Sequence, residues 1–241
     1  MSTTFRYYRI FIRMTIREGA LTAAPAQDKI IRDYLDNIRN VVEKVLYEKE
    51  RLQKPFLMKL LSKFESGNLS MKRGVKLTTR YIFNELDNRA GYFDEQTIDK
   101  HFVIVINMAH CVMGLHVLDE MGVLIHGFDW EEFYSTFIHE YKHFLQFLHA
   151  RKSKVDPFAA SDNTDYFDKP HEQQAWAEGY LEKLKHQLST TNSAVILNFL
   201  RTNALSSSPS LRHLKQANPS AWKKIMKQAV LAAVRDANQK Q

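Results

Sequence analysis

The segment from Asp129 to about His149 constrains this chain more than any other. Asp129 precedes Trp130-Glu131-Glu132, an N-cap residue followed by a glutamate at the third helical position, which together predict a capping box. Phe133, Phe137, Ile138, Tyr141, Phe144, Leu145 and Leu148 then recur at helical spacing, the pattern of an amphipathic helix. Within that helix stands His139-Glu140-Tyr141-Lys142-His143. Side chains at i and i+4 lie about 40° apart around a helix, so both imidazoles can reach one ion. Glu140 sits beside them, placed to accept a proton from an attacking water. At the His and Glu frequencies of this chain, such a pentapeptide arises by chance about 2% of the time, so its weight depends on context.

Context turns on a third ligand. A hydrolytic zinc takes three protein ligands and keeps a fourth position open. Cys111 is the only cysteine, so the ligands must be histidines and carboxylates. Two residues compete. His149 has the metzincin spacing, but that solution needs the helix to turn at a glycine, and Gln146 stands there instead. In a continuous helix His149 lies about 240° around from His143 and faces away. Glu172, in Pro170-His171-Glu172-Gln173-Gln174-Ala175-Trp176-Ala177, opens a second predicted helix whose Pro170 sits in the first turn. A carboxylate near a helix N-terminus is well placed to face across a cleft. His171 is expected about 100° away, on the rim. Trp130 and Trp176 are expected to pack around the site.

His139, Glu140, His143, Glu172 and Ala175 together resemble the gluzincin metallopeptidases, in which H-E-x-x-H is followed by a helix bearing E-x-x-A. The stretch Tyr166 to Ala177 is similar to a run found in small predicted metallopeptidases of bacteria and phages. The resemblance spans residues 100–185 approximately. It implies a zincin-like α+β fold, with a small mixed sheet packed on the helix of the pentapeptide and a substrate lying along an edge strand. It also implies Zn2+ held by His139, His143 and Glu172, Glu140 as general base, and protein or peptide as substrate. Tyr166, six residues before Glu172, is the candidate donor to the reaction's oxyanion. Trp176 replaces the aspartate of many E-x-x-A variants, which leaves the partner of a zinc histidine unassigned.

Elsewhere the chain alternates helix-like and strand-like text. Tyr8, Ile10, Ile12, Met14 and Ile16 alternate with arginines, which predicts a half-buried strand in preference to a cleaved presequence. Residues 27–50 and 56–64 read as helices, and 75–79, 102–106 and 123–126 as strands, the last at an edge. Ala90-Gly91-Tyr92 reads as a turn. Further helices are expected over 170–188, 193–204 and 221–237, with Ser206-Ser207-Ser208-Pro209-Ser210 as a linker. The domain reading is a metallopeptidase unit over 1–205, its core at about 70–190, with a linker and basic helix over 206–241.

Hydrophobic residues at 44% allow a real core, and the longest apolar run, near 102–113, is too short and polar to cross a bilayer. No secretory signal is apparent, so the expected location is cytoplasmic, or virion-associated if the source is a phage. The net charge of +7 admits a weak nucleic-acid contact through the basic surface. Two alternatives accompany the peptidase reading. One is a structural or virion-associated protein with a zincin-like domain. The other is a nucleic-acid-associated protein or protease, with phosphate bound by the first strand or by Lys223, Lys224, Lys227 and Arg235.

Overall fold

The computed structural model describes residues 25–50, 52–65, 69–70, 75–96, 101–115, 124–153, 167, 169–203 and 209–238. The expected strand at 5–17 and Tyr166 lie outside the described residues. In chain order the elements are α1 (Pro25–Lys49), β1 (Leu52–Gln53), α2 (Lys54–Glu65), β2 (Leu69–Ser70), β3 (Lys76–Ile82), β4 (Gly91–Gln96) and β5 (His101–Asn107). A 3-10 turn, Met108–His110, leads to β6 (Val112–Leu115) and β7 (Leu124–Phe128). The helices α3 (Trp130–Ser153), α4 (Pro170–Gln187), α5 (Ser193–Asn203), α6 (Pro209–Ala217) and α7 (Pro219–Asn238) complete the fold. The class is α+β, as expected from the sequence.

Two small sheets form. One has the order β2-β3-β5-β4, with β3 and β5 parallel and β4 antiparallel to β5 at the edge. The other has the order β1-β7-β6. β7 is therefore the middle strand of its sheet and not the edge strand predicted from residues 123–126. Gly91 is a second correction, since it begins β4, where Ala90-Gly91-Tyr92 suggested a turn.

β5 is buried from Phe102 to Asn107, the continuous apolar run of a strand covered on both faces. Its cover on one side is α3, through Phe93, Phe102, Phe144 and Phe147, whose ring centroids lie 5.4 to 6.0 Å apart. Ile31, Leu35, Ile38 and Val42 of α1 enter the same core at the spacing of one helical face. Burial of each such side chain is worth about 1.5–3 kcal/mol, far more than helix propensity differences supply.

The C-terminal helices share a second apolar cluster. Ala177, Tyr180, Leu181 and Leu184 of α4 pack with Ile196 and Leu200 of α5, Leu214 of α6, and Ala221, Ile225 and Ala229 of α7. Pro209, read from the sequence as part of a linker, opens α6. Polar links join this layer to α3: Glu178 of α4 lies 3.3 Å from the Lys142 ammonium and 3.0 Å from the Arg235 guanidinium. Lys142, within the pentapeptide, thereby helps to seat α4 against α3.

Candidate metal centre

The helix that carries the pentapeptide begins as its sequence dictates. The Glu132 amide donates to Asp129 Oδ1 at 2.9 Å, the N-cap bond. α3 then runs unbroken to Ser153, so the turn that a His149 ligand would need does not form, and His149 is exposed. Two close approaches fix the helix laterally. A Cβ on Gly91 would lie 2.7 Å from Thr136 Cγ2, 2.9 Å from the Val105 carbonyl oxygen and 3.3 Å from Glu140 Cγ. A Cβ on Gly179 would lie 2.8 Å from the Ser135 carbonyl oxygen and 3.5 Å from His139 Cβ. Two glycines thus let β4 and α4 come close to α3 at the level of the pentapeptide.

α4 starts at Pro170 without a side-chain cap, and Glu172 stands in its first turn. There its carboxylate meets the two histidines. His139 Nε2 and His143 Nε2 are 3.1 Å apart, and Glu172 Oε2 lies 3.6 Å from the first and 3.3 Å from the second. The three side chains are 12%, 9% and 11% exposed, respectively. For ligands at 2.0–2.2 Å around a tetrahedral ion, trigonometry gives separations of about 3.3–3.6 Å. The donor set, two imidazole nitrogens and one carboxylate oxygen, is one that zinc accepts, and the triangle has nearly the size a tetrahedral ion requires.

The nitrogen of His143 that donates follows from its surroundings. Gln146 Nε2 donates to the His171 carbonyl oxygen at 3.0 Å, and a carbonyl can only accept. That fixes the amide, so Gln146 Oε1 faces His143 Nδ1 at 2.9 Å and takes its proton. With that proton held on Nδ1, the ring in its neutral form presents the Nε2 lone pair to the triangle. Gln146 is 1% exposed; the sequence places it one turn beyond His143, in reach to orient a neighbour, but does not show which one.

The electrostatics favour a cation here. Burial lowers the His143 pKa, but the carboxylates of Glu172 and Glu140 and the Gln146 oxygen outweigh it, and the net shift is upward. Burial raises the pKa of Glu140, and Glu172 adds to it, against opposing effects of His139, His143 and the Phe93 amide. A carboxyl with a raised pKa beside a cation site is suited to taking up and releasing a proton.

The structure therefore brings together His139, Glu140, His143 and Glu172. His171 is a correction. It is 8% exposed and not on the rim, its Nε2 lying 3.6 Å from Glu172 Oε1 and its ring centroid 5.9 Å from that of His143. Trp176 packs edge-to-face on His139 at 5.2 Å, as expected. Trp130 does not pack at the site. It stacks on Phe128 at 4.8 Å, nine residues before His139 and so about 13 Å away along the helix. Neither a protein-family model, nor a curated protein, nor a solved structure matches this chain. Among the described residues, no helix is long and apolar enough to cross a membrane.

Proposed function

We propose that this protein is a zinc-dependent metallopeptidase of the gluzincin type with a zincin-like fold, acting on proteins or peptides. The observation that carries the proposal is the triangle of His139 Nε2, His143 Nε2 and Glu172 Oε2, with edges of 3.1, 3.3 and 3.6 Å. These three residues would hold Zn2+. When bound, the ion supplies Lewis acidity, lowering the pKa of water towards about 7 and polarising a carbonyl.

The chain's own residues do the rest. Glu140, adjacent to the triangle and 7% exposed, takes the proton of the attacking water and passes it to the leaving amine. Gln146 keeps His143 in the tautomer that offers Nε2. Tyr166 is proposed as the donor to the oxyanion, on its sequence position alone. The substrate is proposed to lie extended along β4, an edge strand that reaches the site through the hydrogen bond from the Phe93 amide to Glu140. A structural zinc site closes its coordination with a fourth protein ligand and needs no base. Among the described residues the group offers three ligands with a buried carboxylate beside them, which supports the hydrolytic reading over a structural one.

The test is hydrolysis of an unfolded protein such as casein by the zinc-loaded chain. Glu140→Gln should retain the metal and lose at least about 100-fold in rate, the scale of a general base. Equal rates for wild type and Glu140→Gln, or no hydrolysis by a chain with its full zinc content, would overturn the proposal.

A further inference from the structure

The net positive charge of the chain arises in its C-terminal helices, where acidic residues are scarce. From Lys183 to Arg235, 53 residues include nine lysines and arginines and not one aspartate or glutamate. With a net charge of +7 for the whole chain, the other 188 residues sum to −2. At the overall density of 27 acidic residues in 241, a stretch of this length would hold about six.

The structure divides the nine cations into two groups. Lys183 pairs with Glu132 at 3.1 Å, Lys185 with Asp236 at 3.1 Å, and Arg235 with Glu178 at 3.0 Å, so these three bind the helices to one another. Arg201, Arg212, Lys215, Lys223, Lys224 and Lys227 are exposed, on α5, α6 and α7.

The part of this surface on α6 and α7 is preorganised. Only Asn218 separates the two helices, and its Oδ1 accepts the Ala221 amide at 3.0 Å while its own amide donates to the Leu214 carbonyl at 2.7 Å. The Lys215 ammonium lies 5.0 Å from the centre of the Trp222 ring, which joins the basic face of α6 to the start of α7. Leu214, Ala221 and Ile225 anchor the pair in the core below.

We propose that the α5–α7 surface docks on the phosphate backbone of nucleic acid, without sequence preference. Six exposed cations in a stretch without one acidic residue complement the charge of a row of phosphates, and binding would be driven by release of counterions. A lipid surface fits less well. An amphipathic helix binds a bilayer by inserting its apolar face, and that face of α7, Ile225, Met226, Ala229, Ala232 and Ala233, is already buried within the protein. The inference does not depend on the metal centre.

The test is fluorescence anisotropy of a labelled 20-base-pair duplex titrated with the full chain between 50 and 200 mM KCl. If all six cations neutralise phosphates, the logarithm of affinity falls against that of salt with a slope of about −5, on the order of a 1,000-fold loss over this range. Lys223→Gln/Lys224→Gln/Lys227→Gln should bind more weakly, with about half the slope, and keep the wild-type circular dichroism spectrum because all three side chains are exposed. Lys59→Gln/Lys63→Gln on α2 should bind as wild type. Absence of binding at 50 mM salt, an affinity and salt slope unchanged in the α7 variant, or binding to phosphatidylserine vesicles but not to duplex would overturn the proposal.

Discussion

Gln146 holds His143 by the nitrogen that faces away from the triangle: Oε1 lies 2.9 Å from Nδ1, while the same amide donates to the carbonyl of His171, one residue before Glu172. One side chain therefore sets the tautomer of the second ligand and ties α3 to the helix that presents the third. Removing such an outer partner typically costs 10–100-fold in metal affinity. Gln146→Ala should bind zinc about 10–100-fold more weakly than wild type in competition with a chromophoric chelator, and Gln146→Glu, which can still accept from Nδ1, should recover most of it. Equal affinities for wild type and Gln146→Ala would show that the bond does not serve the metal.

The two glycines beside α3 make a separate prediction. At Gly91 and Gly179 the nearest obstacles to a Cβ include backbone oxygens, at 2.9 and 2.8 Å, which cannot move without shifting a strand or a helix. At Gly127 the nearest atom is the flexible Met113 Cε at 3.1 Å. Gly91→Ala and Gly179→Ala should each cost about 1–3 kcal/mol in urea unfolding, and Gly127→Ala less than about 1 kcal/mol. Similar costs at all three positions would contradict the close approach of β4 and α4 to α3.

Acid stability should depend on Glu182, which is 2% exposed and forms two hydrogen bonds with the Arg32 guanidinium. Burial opposes its ionisation, but Lys185, Arg32 and His186 outweigh that and hold its pKa below the ordinary 4.5. A carboxyl with a depressed folded-state pKa binds its proton more readily when unfolded. Its stabilisation is complete above about pH 4.5 and is lost as the pH falls through the folded value. Glu182→Gln should therefore lower stability at pH 7 and flatten the loss of stability below pH 4.5, measured by urea midpoints across pH. A mutant as acid-sensitive as wild type would refute this.

The helix of the pentapeptide was legible because three local signals agree on it: the Asp129 cap, the apolar period and the i, i+4 histidines. Glu172 was legible because it opens a helix with a proline in its first turn. What escaped the sequence depends on tertiary contacts. Gln146 makes bonds to a helix first turn 25 and 28 residues away, for which no local pattern exists. Even spacing of 100° per residue predicts His171 on the rim, yet the first turn of α4 packs so closely on α3 that neighbouring residues are both buried. Ala90-Gly91-Tyr92 suggests a turn because glycine often supplies unusual backbone angles. Its use here is the missing Cβ. Pro209 carried the same helix-start signal as Pro170 but stands among serines, which suggested a linker.

The most direct measurement of the central claim is the zinc content of purified chains after equilibration with a slight excess of metal and removal of the unbound ion. Wild type and His149→Ala should each hold close to one zinc per chain, and His143→Ala and Glu172→Ala should hold almost none. Retention of zinc in Glu172→Ala together with its loss in His149→Ala would contradict the centre described, as would a wild-type chain that takes up no metal.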